Sequence, residues 1–254
     1  EGLPAHDVRT ANVFVSHAWR YTFEEVVSAI EAADLGPDAV YWFDLVMVSQ
    51  WDTTVRPFEW WTSTFTGAVQ RIGRTLLVLA PWADPVPLTR AWCLFEINAT
   101  VSTGAQLLVQ MPPAQNGAFE AALTREFDSI ALSLSRISLE RAEAFSADDR
   151  AKIFAVVQAT VGVSALNARV LEAMRDWLAE AGRAALREAP EDYALVNNLA
   201  SLLYAQGKLN EAEPLCRRAL KGREERLGAD HPDTLTSVNN LALLLQAQGK
   251  LDEA

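Results

Sequence analysis

Arg74-Thr75-Leu76-Leu77-Val78-Leu79-Ala80 is the stretch whose reading decides the fold. Its apolar run carries no alternation, and a strand with one wet face would alternate polar and apolar residues. It therefore reads as a strand covered on both faces, the kind found in parallel sheets whose connections are packed helices. The same logic extends outward. Before it, Phe65, Ala68, Val69 and Ile72 recur at helical spacing and stop at Gly73, and Ala39-Val40-Tyr41-Trp42-Phe43 reads as an earlier strand. Earlier still, Ala11-Asn12-Val13-Phe14-Val15-Ser16 is a short β-branched run, and Tyr21, Phe23, Val26, Val27 and Ile30 predict a helix that ends near Gly36-Pro37. After it come a loop with Pro81, Pro85 and Pro87, and a helix from Ala91 to about Val101 with Gly104 past its end. A fourth strand, Ala105 to Met111, is closed by Pro112-Pro113. The βαβαβαβ alternation predicts an α/β domain, and a flavodoxin-like parallel sheet is the expected strand order.

The bulk numbers exclude several function classes. The 254 residues are half hydrophobic and carry a net charge of −11, which lacks the basic footprint of a nucleic-acid or anionic-membrane binder. Two cysteines, Cys93 and Cys216, and three histidines, His6, His17 and His231, are too few and too scattered for a disulfide framework or a metal cluster. No leader pattern and no run of membrane-spanning length is evident, so a cytoplasmic location is the default expectation.

Seven of the eight tryptophans precede residue 93. Ligands of open parallel sheets bind outside the carboxyl ends of the strands. Trp19 follows the first strand, Trp51, Trp60 and Trp61 follow the second, Trp82 follows the third, and Trp92 begins the next helix. Most of this aromatic surface is thus predicted on the ligand edge, while Trp42, inside a strand, is expected to pack. Neither a dinucleotide-type glycine fingerprint, a P-loop nor a G-x-S-x-G elbow occurs, so a nucleotide here would be held by aromatic and hydroxyl contacts.

On that edge lies Trp92-Cys93-Leu94-Phe95-Glu96-Ile97, which places one carboxylate among large apolar neighbours. Taken alone, Glu96 is an acid in the first turns of a helix, favourable to the macrodipole. The segment resembles the W-C-L-x-E-L of TIR domains. Asn12-Val13-Phe14-Val15-Ser16 resembles that family's opening strand, and Phe43-Asp44 its F-x-D region before the long BB loop. The likeness covers roughly residues 8–135. It departs from the plant pattern at His17-Ala18-Trp19-Arg20-Tyr21 and in the Trp-rich loop after Asp44.

Catalytic members of that family cleave NAD at the nicotinamide–ribose bond, and the resemblance gives Glu96 their catalytic role. The chemistry suits a carboxylate. Nicotinamide leaves as a neutral group, and a fixed carboxylate can bond the ribose hydroxyls and stabilise oxocarbenium character. Trp92, four residues back, shares a helix face with Glu96 and is expected to stack on the nicotinamide or ribose. Ser16, His17, Trp19, Arg20, Phe43 and Asp44 are the other expected substrate contacts, Arg20 being the nearest cation for a pyrophosphate. NAD is substrate, with no cofactor and no metal. Cys93, with no base beside it, is expected to pack.

Beyond Pro113 the sequence turns helical. Phe119, Leu123 and Phe127 predict the last helix of the first domain, and Ile130, Leu132 and Leu134 alternate as a short edge strand would. Ser146-x-x-Asp149 predicts a helix start, and Ser164 a second cap before Leu166, Val170, Leu171, Met174 and Trp177. Then Val196-Asn197-Asn198-Leu199-Ala200 recurs as Val238-Asn239-Asn240-Leu241-Ala242, with 14 identities in the 17 positions from 196 and from 238. This repeat, with Leu227-Gly228-x-x-His231-Pro232-x-Thr234, resembles the tetratricopeptide repeats of kinesin light chains, which makes His231 a turn residue. The expected domains are a TIR-like α/β domain at 8–135, an all-α connector at 136–189, and tetratricopeptide repeats at 190–254. The second repeat ends before its second helix, so the chain is expected to be part of a longer protein.

The leading expectation is an oligomerisation-activated NAD nucleosidase, with an ADP-ribosyl cyclase as the related outcome. It would serve defence or signalling, self-associate through its TIR-like domain and meet a protein or peptide through its repeats. The alternatives are a non-catalytic TIR-like adaptor and a nucleotide-processing enzyme on a related fold with Glu96 as nucleophile.

Overall fold

The computed structural model describes residues 9–44 and 58–250, and for residues 59–61 the backbone alone. The chain divides into two compact units, one of residues 1–116 with 133–173 and one of residues 117–132 with 174–254.

The first unit is built on four strands. These are β1 (Val13–Ser16), β2 (Tyr41–Trp42), β3 (Arg74–Val78) and β4 (Gln106–Gln110), in the order β2-β1-β3-β4 with every pairing parallel. That order is compatible with the first four places of a 2-1-3-4-5 sheet. All of β1 is buried, as is β3 after Arg74, as expected of central strands flanked by helices. On one face α1 (Phe23–Ala32) applies Val26 and Ala29 to Val15, Val78 and Phe43. On another side Phe14 stacks on Trp42 at 4.7 Å between centroids, and Phe65 of α2 (Phe58–Ile72) meets both rings edge-on. Trp42 is thus a packing residue.

Helix boundaries follow local chemistry. Thr22 accepts from the Glu25 amide while the Glu25 carboxylate accepts from the Thr22 amide, a reciprocal cap that starts α1. The chain leaves α2 through Gly73 at φ 73°, a left-handed turn that a side chain would strain, and enters β3 at the next residue. Helix α3 (Ala91–Ser102) buries every residue from Cys93 to Thr100, so it is a core helix and not an amphipathic cover. The Thr75 and Thr100 hydroxyls, both fully buried, lie 2.8 Å apart, and Thr100 donates to the Glu96 carbonyl at 2.8 Å. Thr100 has one proton, so Thr75 is the donor between them, and β3 is pinned to the middle of α3.

Two local expectations are overturned. Residues 127–135 form a helix, α5 (Phe127–Ser135), instead of an edge strand. Ile130 and Leu134 are buried one turn apart while Leu132 is 55 % exposed, so three alternating leucine-type residues were equally a helical pair with one outward neighbour. Ser164 is not a cap, because α7 (Val163–Glu188) begins before it; Ser146 does cap α6 (Ala147–Thr160), accepting from the Asp149 amide.

In the second unit, α4 (Asn116–Arg125), expected to finish the first domain, groups with the later part of α7 and with the C-terminal helices α8 (Tyr193–Ala205), α9 (Leu209–Leu227) and α10 (Pro232–Ala247). Phe119 stacks on Trp177 at 5.4 Å, and Thr124 donates to Asp192, whose other oxygen caps α8 at Leu195. Helices α8 and α9 turn at Gly207, as the repeat requires. His231 is the N-cap of α10, its Nδ1 accepting from the Asp233 amide at 3.1 Å with Pro232 at the first helical position. Among the described residues no single helix is long and apolar enough to cross a membrane.

Candidate functional site

Strand order reverses between β1 and β3, so their carboxyl ends open the crevice where parallel α/β sheets take ligands. Ser16 is the last residue of β1, and α3 follows β3. Across that crevice the Ser16 hydroxyl donates to Glu96 Oε2 at 2.6 Å. The contact joins residues 80 apart, and both are buried, Ser16 at 1 % and Glu96 at 8 % exposure. Burial pushes the Glu96 carboxyl up to about 8; the Ser16 hydrogen bond opposes that rise and the Asp44 charge adds to it. Glu96 is therefore mainly protonated at neutral pH in the free protein, a hydrogen-bonded acid ready to ionise beside a cation.

The residues after β1 and β2 assemble around this pair. His17 Nδ1 lies 3.7 Å from Asp44 Oδ1, and the Trp19 indole donates to Asp44 Oδ2 at 2.8 Å. The His17 ring meets Phe43 edge-on at 4.9 Å. Burial lowers the imidazole pKa against the pull of Asp44, which keeps His17 neutral. Its Nε2 is buried with no hydrogen-bond partner among the described residues. Five of the expected contacts, Ser16, His17, Trp19, Phe43 and Asp44, thus form one connected group with Glu96.

Two do not join it. Trp92 is half-buried and packs on Phe65 and Phe58 at 5.4 and 5.6 Å, with Phe95 edge-on at 6.0 Å. Its ring belongs to the aromatic cluster between α2 and α3. Arg20 is largely exposed and faces Glu143 at 3.9 Å. Trp51 lies outside the described residues, as do the side chains of Trp60 and Trp61.

Other residues support the site without having been singled out. Cys93 donates to the His17 carbonyl at 3.4 Å, and burial raises its thiol pKa well above the usual value, so it is an inert clip and not a nucleophile. The Tyr21 hydroxyl donates to the Ala80 carbonyl and accepts from the Ala80 amide at 2.8 Å, tying the segment after β1 to the one after β3. Thr22-x-x-Glu25 carried a readable signal for this geometry, since it starts α1 after Tyr21 and leaves the tyrosine free to reach across. Glu143 exchanges backbone hydrogen bonds with Thr89 and Ala91, both 2.8 Å, and fixes the entry of α3.

The second unit carries its own buried polar seam. Arg223, 8 % exposed, donates to Ser237 and to the Asp233 carbonyl, both at 2.9 Å; Ser237 and Asn240 donate to Asn197, both at 3.2 Å. Described cavities of about 350 Å³ and 460 Å³ lie at residues 141–150 and at the Gly207 turn, and neither is lined by Glu96.

Compared with known proteins, the chain matches no curated one. A family profile described as tetratricopeptide repeat matches residues 192–254, leaving the sheet unit outside the match. Such repeats generally mediate protein–protein interaction, and a protein-interaction role for the C-terminal helices follows.

Proposed function

We infer that the protein is a TIR-type NAD glycohydrolase, cleaving the nicotinamide–ribose bond at Glu96 and using its repeats to bind a protein partner. The observation that carries this reading is the buried Ser16–Glu96 hydrogen bond at the point where strand order reverses. An acid held there by a serine and shielded from water has the attributes of a ribose clamp. NAD brings a cationic nicotinamide, which favours ionisation of Glu96, and the carboxylate then opposes the positive charge that develops on the ribose carbon. Ser16 fixes one carboxylate oxygen and leaves the other for a ribose hydroxyl. Neutral His17, with Nε2 unengaged among the described residues, is an acceptor for a second hydroxyl or for the attacking water.

The packing of Trp92 on Phe58 and Phe65 favours a second reading, a non-catalytic TIR-like adaptor whose aromatic residues serve stability. Nicotinamide release from NAD by forcibly clustered protein separates the two. Release that falls at least about a hundredfold in Glu96→Ala, the scale of loss of one electrostatic stabiliser, is expected. A folded, clustered wild type that releases none would leave the adaptor.

A further inference from the structure

The segment after α5 returns to the carboxyl edge of the sheet and borders an open cavity of about 350 Å³ lined by Arg141, Glu143, Phe145, Ser146 and Arg150. Its backbone is fixed by the two hydrogen bonds of Glu143 to Thr89 and Ala91. One N–H of Arg141 goes to the Arg136 carbonyl and one of Arg150 to the Glu140 carbonyl, which aims both guanidinium groups and leaves their remaining donors uncommitted. Among the described residues neither has a carboxylate within ion-pair distance. The one carboxylate in the lining, Glu143, is matched by Arg90 at 3.5 Å and Arg20 at 3.9 Å. Of the acids beside it, Asp148 pairs with Lys152, and Glu140 accepts from Ser138 and Asn167 and also feels the Arg141 charge. The lining itself therefore holds two arginines and one carboxylate, and that carboxylate already has cationic partners outside the lining.

The second observation is aromatic. Phe145 lines the cavity and is 80 % exposed, and the ring of Trp19, 53 % exposed, lies 6.3 Å from it. Trp19 donates to Asp44, which faces His17, the neighbour of Ser16. The cavity and Glu96 are therefore joined by one unbroken line of contacts along the same edge.

We propose that this cavity is a nucleoside-phosphate site, in which Arg141 and Arg150 hold the phosphate and the exposed faces of Phe145 and Trp19 take the base. Guanidinium groups bond phosphate oxygens through paired N–H donors, and flat exposed rings stack with nucleobases. Its volume lies in the range of small-ligand sites. The proposal rests on the NAD reading only in assigning the adenosine-phosphate half of that dinucleotide to a segment beyond the sheet.

Calorimetric titration of the full chain with AMP and, separately, with inorganic phosphate tests it. AMP is expected to bind saturably and to weaken about tenfold or more in Arg141→Ala/Arg150→Ala. Phe145→Ala, which removes an exposed ring and leaves the core intact, is expected to weaken AMP several-fold and to leave phosphate unchanged. No saturable AMP binding, AMP affinity unchanged in both variants, or phosphate binding as tight as AMP would each overturn the site. The clustered NAD assay on the same proteins separates this from the catalytic reading. AMP binding that depends on the arginines without any nicotinamide release keeps the site and removes the activity. Nicotinamide release with an unchanged KM for NAD in the double arginine variant keeps the activity and removes the site.

Discussion

Glu96 sits where burial and hydrogen bonding pull in opposite directions, and burial wins. Its carboxyl titrates near 8 in the folded protein against about 4.5 in an unfolded chain, so the folded state binds the proton more tightly. Stability from this group is full below about pH 4.5, declines as pH rises, and is gone above about 8. The slope amounts to at most about 1.4 kcal/mol per pH unit within that window. Glu96→Gln, which keeps the shape and removes the proton, is expected to grow more stable relative to wild type as pH rises across it. Urea melts of both proteins at the two ends of the window measure this; parallel stability curves would refute the burial argument. His17, whose lowered pKa contributes in the opposite sense below its ordinary value, is present in both proteins and drops out of the difference.

At the scale of elements, close approach decides stability in the repeats. A Cβ on Gly222 of α9 would sit 2.1 Å from the Tyr193 ring, which is covered on another side by the Arg226 guanidinium at 4.9 Å. Alanine would gain about 1 kcal/mol in helix propensity, but overpacking of this severity costs about 1–3 kcal/mol. Gly222→Ala is therefore expected to lower the unfolding midpoint, and Gly222→Ala with Tyr193→Leu to recover part of the loss. Thermal melts of the two variants settle the sign.

How much of these elements was legible follows from which interactions are local. The β3 run was readable because double-sided burial leaves an uninterrupted apolar pattern, and the repeats because 14 of 17 positions recur. Ile130 and Leu134 were misread because three residues do not separate a period of two from one helical turn. The motif resemblance named Ser16 and Glu96 individually, but their bond spans 80 residues and no spacing rule encodes it. Glu143 was invisible for another reason. It fixes the entry of α3 through its backbone, which every residue type shares.

For the whole molecule, the two compact units interleave along the chain, since residues 117–132 group with 174–254 and not with the flanking segments 1–116 and 133–173. Truncation after residue 189 keeps Trp177 against Phe119 but removes Asp192 and Asn198, the hydrogen-bond partners of the end of α4. Hydrogen exchange in that truncation is expected to accelerate across 116–125 while the central strands β1 and β3 stay protected. Equal loss of protection in the strands would mean that the sheet unit does not stand by itself.

The same interleaving sets an order of events during synthesis. When α4 emerges from the ribosome, the Asn198 that bonds its carbonyls is still 75 residues away. At about 5–20 residues per second that is several seconds in which the Leu123 and Thr124 carbonyls lack that native partner. The sheet, meanwhile, awaits residues 133–173 from the far side of that helix. The nascent chain must therefore hold one finished helix in reserve while it completes the unit begun before it, and a chaperone that shields apolar helices would act at that interval.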